Sequence, residues 1–267
     1  MFSFCLSYAS LQVKDTLIKT HSKGKLYLGW GYNKDWYSKS DIRLQNNNPQ
    51  LINGKYYTYD FTVYNAKATD RPDLDKLYDI ANITIPQFSF RVGYFLNNKK
   101  DLGFEINYDH AKYVVNNYQK VRVKGQINGD YFDKDTILDP DTFLRFEHTD
   151  GANFWMFNFI KRWKFLKSAN NKNNLGVILK PGIGIVYPRT DVAIFGNGIN
   201  NNWKISGVIS GVEIGIRGEF LKHGFFELTG KGARANYINA IVQGKGYGKA
   251  SHKFWVAEAI LILGCQF

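Results

Sequence analysis

The sequence predicts an all-β protein: a closed, antiparallel, up-and-down β-barrel of about eight strands. Three observations carry this. Long stretches alternate apolar and polar side chains with a period of two, the pattern of pleated strands with two unlike faces. The connections between these stretches alternate short and long. No run of about 18 apolar residues occurs, so a membrane-crossing helix is excluded.

The strands can be justified in order. Lys25–Tyr37 (KLYLGWGYNKDWY) is the first. A long connection, residues 38–84, follows and holds the alternating segment Tyr56–Ala66 (YYTYDFTVYNA), read as a hairpin arm above the wall. Ile85–Leu96 is joined by the short turn Asn97–Asp101 to Leu102–Val115. Asn116–Asp141 is an excursion rich in Asp, Lys, Asn and Gly. Thr142–Leu166 reads as one long strand. The polar turn Ser168–Asn174 leads to Leu175–Tyr187, and the Asn-rich connection Pro188–Trp203 leads to Lys204–Phe220. There Val208, Val212, Ile214, Ile216 and Phe220 face one way, and Gly207, Gly211, Glu213, Gly215, Arg217 and Glu219 the other. The tight turn around Lys222–Gly224 joins Phe225–Ile238. The Gly-rich stretch Asn239–Ser251 precedes the last strand, Lys253–Phe267 (KFWVAEAILILGCQF).

In that last strand Phe267, Cys265, Leu263, Leu261 and Ala259 share an apolar face, and Gln266, Gly264 and Glu258 fall on the other. A long terminal strand that closes on an aromatic residue resembles the closing strand of bacterial outer-membrane β-barrels. The resemblance implies an integral protein of a Gram-negative outer membrane. It implies that the terminal aromatic segment, Phe267, is the signal read by the barrel assembly machinery. Short turns would then be periplasmic and long loops extracellular. Trp163, Phe165, Phe220, Phe225, Phe226 and Phe267 fall near the short turns, and Trp36, Tyr37, Tyr113, Tyr187, Trp203 and Tyr237 near the long loops, as two interfacial belts require. The segments Gly29–Ile42, Ile83–Phe95 and Phe143–Gly151 look like those of uncharacterised outer-membrane barrel proteins of the Bacteroidetes, a family that brings no activity with it.

Composition fits. The chain has 267 residues, 44% apolar and 16% aromatic. Its mean hydropathy of −0.33 is compatible with a barrel that spends only alternate residues on lipid. The N-terminal MFSFCLSYASLQ reads as the tail of a secretory signal, so residues 1–20 stand apart and residues 21–267 form a single barrel. Cys5 and Cys265 have no metal or redox spacing; no metal and no cofactor are expected. The formal charge of +12 is scattered over strands and turns with no basic helix. Anionic outer-membrane lipids and lipopolysaccharide are therefore the expected partners rather than nucleic acid, together with a possible outer-membrane protein.

The polar phase of the strands defines the expected interior. Arg91, Glu105, Arg145, Lys180, Glu213, Arg217, Glu227, Lys231 and Glu258 are expected to form an ion-pair network there, with Gly29, Gly31, Gly93 and Gly184 between them. Eight strands leave room for side chains and no aqueous pore, and buried charges must pair.

One stretch has the residue types for catalysis. In Arg145–Gly151 (RFEHTDG), the set Glu147, His148, Thr149 and Asp150 offers a base, a hydroxyl and acids. Odd positions change sides between Glu147 and Phe157, which calls for a β-bulge near His148–Gly151. The stretch is similar in outline to small outer-membrane lipid A deacylases. It departs from them in that Thr149 directly follows His148 and Asp150 stands where that family has its serine. A polar rim network is the preferred reading. The function expected is a noncatalytic scaffold or surface-binding protein acting through its large loops. The alternative is a lipid A or phospholipid acyl hydrolase using the His148 region. Asp109-His110 and His252 are placed at the same rim as solvated groups. Gly244–Lys249 lacks the strand and helix of a phosphate loop, and Asp133–Asp141 lacks a calcium-loop spacing.

Overall fold

The structure, a computed structural model, describes residues 24–70, 87–96, 101–148, 150–169 and 172–267. The leader segment, Thr149 and most of the turn Asn97–Asp101 lie outside the described residues. All regular elements described are strands. In chain order they are β1 (Lys25–Tyr37), β2 (Ser40–Ile52), β3 (Lys55–Ala66), β4 (Ala68–Thr69), β5 (Phe88–Phe95), β6 (Leu102–His110), β7 (Tyr113–Val115), β8 (Lys120–Ile127) and β9 (Asp130–Ile137). They continue with β10 (Leu144–His148), β11 (Phe154–Lys167), β12 (Asn174–Val186), β13 (Asp191–Ile194), β14 (Asn197–Asn200), β15 (Gly207–Phe220), β16 (Gly224–Ile241) and β17 (Lys249–Gln266).

The long strands pair in sequence, always antiparallel. β1 pairs with β5, β5 with β6, β6 with β11 and β11 with β12. β12 then pairs with β15, β15 with β16, β16 with β17, and β17 with β1 again. The remaining strands stand on the long-connection end of this ring in two flaps. One continues from the outer part of β17 through β2, β3, β8 and β9. The other continues from Trp36 of β1 through β4, β7, β10, β13 and β14.

Three hairpins of the flaps turn on two residues, both with positive φ: Asn53-Gly54 (49° and 77°), Asn128-Gly129 (53° and 87°) and Phe195-Gly196 (51° and 79°). These are type I′ turns, whose twist matches that of the flanking strands.

Two sequence expectations change. The stretch Thr142–Leu166 is two strands rather than one bulged strand. β10 leaves the ring to pair with β13 and β7, and β11 starts afresh at Phe154. Between them the chain turns through Gly151 at φ 116° and Asn153 at φ 40°. A Cβ on Gly151 would stand 2.1 Å from the Asn153 side chain, so the turn depends on glycine there. The excursion Asn116–Asp141 and the connection Pro188–Trp203 also contain paired strands.

The ring and the flaps have opposite interiors. Most large apolar residues of the ring point outward and are exposed, among them Trp30, Phe90, Ile106, Phe157, Ile214, Leu228 and Leu261. Its inward face carries buried charges, Arg91, Glu105, Lys180, Glu213, Arg217, Glu227, Lys231 and Glu258, together with a small apolar cluster of Tyr27, Phe95, Ile160, Phe225, Ile260 and Ile262. The flaps instead close on a hydrocarbon core that includes Ile42, Leu44, Phe61, Val63, Tyr113, Val123, Phe146 and Val192. The reversal occurs within single strands. On β17, Ala250, Phe254 and Val256 join the hydrocarbon core, whereas Glu258 joins the charges. On the outer face of the same strand, exposed Lys249 and Lys253 give way to Trp255, Ala257, Ala259, Leu261 and Leu263.

Candidate functional site

The interior of the ring is a chain of ion pairs set by register. Lys180 of β12 lies directly opposite Glu213 of β15, Glu213 opposite Lys231 of β16, and Lys231 opposite Glu258 of β17; the alternation of sign ends there, since Glu258 faces the carboxylate Asp35 of β1. Opposite charges on facing residues are the stabilising arrangement across a strand pair. Lys180 Nζ is 2.9 Å from Glu105 Oε2, 2.6 Å from Glu227 Oε2 and 3.2 Å from Glu213 Oε1. Arg91 reaches Asp109 at 2.6 Å, Glu213 at 3.4 Å and Glu105 at 3.6 Å. Arg217 pairs with Glu227 at 2.6 Å and Glu219 at 3.3 Å, its guanidinium 3.6 Å from the ring centre of Phe225. Lys231 meets Glu258 at 2.6 Å and Asp109 at 2.5 Å. Arg162 pairs with Glu219 and, at 2.8 Å, with Asp101. The Tyr27 hydroxyl donates to Glu105 at 2.6 Å, and the absence of a side chain at Gly93 makes room for that ring, since a Cβ there would lie 2.1 Å from it.

Such a network is tolerated in a low-dielectric interior because most of its charges have two or more partners. Its members are almost fully buried. Asp35, Asp109, Arg162 and Glu219 belong to it as well. Asp109 was assigned to the rim beside His110. In β6 it is inward while His110 is the last residue of the strand, where Nδ1 meets Asn153 Oδ1 at 2.8 Å. Arg145 does not reach the ring interior. β10 has left the wall by then, and Arg145, partly exposed, pairs with Asp191 at 2.9 Å.

The rim residues are distributed rather than gathered. His148 is fully buried in the flap core. Its Nδ1 lies 3.0 Å from Thr190 Oγ1 and its Nε2 3.2 Å from His252 Nε2. Tyr237 stacks on both imidazoles, at 4.9 and 4.6 Å between ring centres, and Tyr113, Phe146 and Phe254 close the box. Burial pushes both imidazoles toward the neutral form: His148 lies well below the usual range, helped by the neighbouring His252, and His252 is pushed down to about 3. Asp150 points elsewhere, to Arg189 at 2.8 Å and Asn200 at 3.1 Å. Glu147 is buried in β10 opposite Asp191 and Val114. The hydroxyl that His148 meets is thus Thr190, from a connection the sequence reading treated as loop, and its second partner is another histidine rather than a carboxylate. Among the described residues, no three His, Cys, Asp or Glu side chains converge as a metal cage.

Phe267 is exposed at the short-turn end, its N–H donating to Leu26 O at 2.8 Å.

No family model matches the chain, and no curated protein does. Among solved structures it is similar to Neisserial surface protein A (10% identity, TM-score 0.37, 92% of this chain and 100% of that one). It is also similar to Ail, the attachment invasion locus protein of Yersinia pestis (10% identity, TM-score 0.31, covering 92% and 99%). A third similar structure is the outer membrane protein OprG from Pseudomonas aeruginosa (13% identity, TM-score 0.37, covering 92% and 96%). Likenesses this distant carry no residue roles, and the functional reading rests on the chain's own geometry.

Proposed function

We propose that the protein is an eight-stranded transmembrane β-barrel of a bacterial outer membrane, and that it is a noncatalytic scaffold carrying a folded β-structure on the extracellular side for surface binding. One observation carries this: the reversal of polarity within β16 and β17. Outward rows of Leu, Ile, Phe and Trp around the ring are far more apolar surface than a protein leaves to water, and hydrocarbon is the solvent that suits them. From Trp255 to Phe267, at about 3.3 Å per residue and a tilt of roughly 40°, the apolar row covers about 30 Å of height. That is the thickness of a bilayer core. Above it the outer faces turn polar and the interior becomes hydrocarbon, the arrangement of a water-soluble β-structure. The packed charges below leave no path for solutes, which supports anchoring rather than transport. The separation of His148 from Asp150 supports binding rather than hydrolysis.

The test is reconstitution into vesicles containing brominated phospholipids. Trp30, Trp163 and Trp255 emission is expected to be quenched and Trp203 emission spared, with Trp→Phe variants assigning each. The same vesicles, supplied with lipid A and glycerophospholipids, are expected to release no acyl chains. Unquenched wall tryptophans would overturn the membrane reading. Acyl release abolished by His148→Ala would overturn the noncatalytic one.

A further inference from the structure

On the outer face of the β16–β17 pair, four registered rows follow one another. They are Asn236 with Lys253, Arg234 with Trp255, Gly232 with Ala257, and Gly230 with Ala259. The first row opens into a groove of about 590 Å³ between this wall and the β2–β3 hairpin, where Lys39 and Arg43 join Lys253. Among the described residues, Lys39 and Lys253 make no ion pair, while Arg43 is held by Asp60 at 2.7 Å. One carboxylate, Asp41, also lines the groove and accepts from the Asn65 N–H at 2.8 Å. The Asn236 side-chain oxygen, Oδ1, is buried there without a donor. A second depression of about 470 Å³ carries Lys204 and Lys249 further out along the same seam.

The second row marks the interface. Ser38 accepts from the Trp255 N–H at 2.9 Å and donates its own N–H to Trp255 O at 2.8 Å, tying the groove floor to that level. The Arg234 guanidinium lies 5.5 Å from the Trp255 ring centre. The last two rows are a furrow in the apolar wall. A Cβ on Gly232 would meet nothing within 4 Å, and one on Gly230 would only graze Glu258 O at 4.0 Å. Leu228, Leu261 and Trp255 rise beside it, all more than 45% exposed.

We infer that this strip is a binding site for one phosphorylated lipid of the extracellular leaflet, with its phosphate among Lys39, Arg43 and Lys253 and an acyl chain in the Gly230–Gly232 furrow. The inference rests on the membrane reading above and deepens it by naming the partner's chemistry and place. Unpaired ammonium groups at headgroup height call for an anion. A furrow one methylene deep in an otherwise knobbly wall calls for a chain. The orphaned Asn236 oxygen calls for a hydroxyl or amine donor on the same headgroup. A sugar phosphate on acyl chains satisfies all three, and a soluble anion satisfies only the first.

The test is native mass spectrometry of the detergent-solubilised full chain with bis-phosphorylated lipid A, with its dephosphorylated form and with inorganic phosphate as competitor, alongside vesicle flotation. One phosphorylated lipid A is expected to be retained per protein. Retention is expected to fall roughly tenfold or more in Lys39→Ala/Lys253→Ala, as two interfacial charges are removed, and to persist in Lys134→Ala on the distant β9. Gly232→Leu, whose Cβ meets nothing within 4 Å, is expected to lower lipid retention. Equal retention of the dephosphorylated lipid, no effect of the double variant, or full displacement by inorganic phosphate would each overturn the site. Flotation separates the two readings: a protein that floats with vesicles and shows no selective retention refutes the site alone, whereas one that does not float refutes both.

Discussion

Val256 and Glu258 point inward from the same face of β17, two residues apart, yet they belong to different interiors: Val256 packs with Phe254 in the hydrocarbon core and Glu258 pairs with Lys231 at 2.6 Å. The boundary between the two solvents inside the molecule is thus one residue pair thick. It lies about three residues along β17 from the level at which the outer face changes from Lys253 to Trp255.

The charge network gives the first expectation. Lys180 bridges Glu105, Glu213 and Glu227, all within 3.2 Å. Lys180→Met leaves those carboxylates short of one cation, a loss of about 3–5 kcal/mol for a buried pair broken from one side. Urea unfolding in vesicles is expected to show it, with part of the loss recovered in Lys180→Met/Glu105→Gln. An unchanged midpoint would mean the interior is wet enough to screen the charges.

Leu261 and Ile137 are exposed to a similar degree, 48% and 55%, but to different surroundings. Leu261→Arg is expected to cost about 2–4 kcal/mol, the price of a cation near the bilayer midplane. Ile137→Arg, on β9 in water, is expected to be close to neutral. Equal effects on folding yield would contradict the wall's contact with lipid.

Acidification is expected to loosen the flaps before the ring. His148 and His252 lie beyond the last pairing of β17 with β1, Tyr37 with Val256, and their folded-state values are depressed, His252 to about 3 from 6.5. A depressed histidine binds its proton more readily once unfolded. Its contribution is therefore complete above about pH 6.5 and is lost as pH falls toward the folded-state value. At pH 5 His252 alone accounts for about 2 kcal/mol. Limited proteolysis of the flaps against pH is the measurement, and His252→Phe is expected to flatten the profile. A profile steeper in the variant would be inconsistent with this pair as the cause.

The interior is also expected to be closed to ions. In planar bilayers, steps of the size porins give should not appear, because Arg91, Lys180, Arg217 and their partners are buried and paired inside the ring. Steady large steps that survive in Arg91→Met would show a path the side chains do not obstruct.

Much of this was legible in the sequence because period-two alternation is strong where one face meets apolar surroundings and the other meets charge. β15 is the clearest case, with Val212, Ile214 and Ile216 against Glu213 and Arg217. The flaps were harder. β9 (DYFDKDTI) is exposed on nearly every residue, so alternation has nothing to report. The dipeptides Asn53-Gly54 and Asn128-Gly129 were the signal available there, since both residues of a type I′ turn need positive φ. Arg145 could not be told from the wall charges, because nothing in its local pattern says that β10 has departed from the ring. His148 and His252 stand 104 positions apart and meet only through the flap topology.

β16 and β17 run unbroken from the short-turn end into the flaps, with a single bulge between Tyr237 and Ala240. A tug on whatever the flaps hold would therefore load a long ladder of backbone hydrogen bonds side by side, in shear, with no hinge to yield first. In the scaffold proposed above, the grip and the root would be the same two strands.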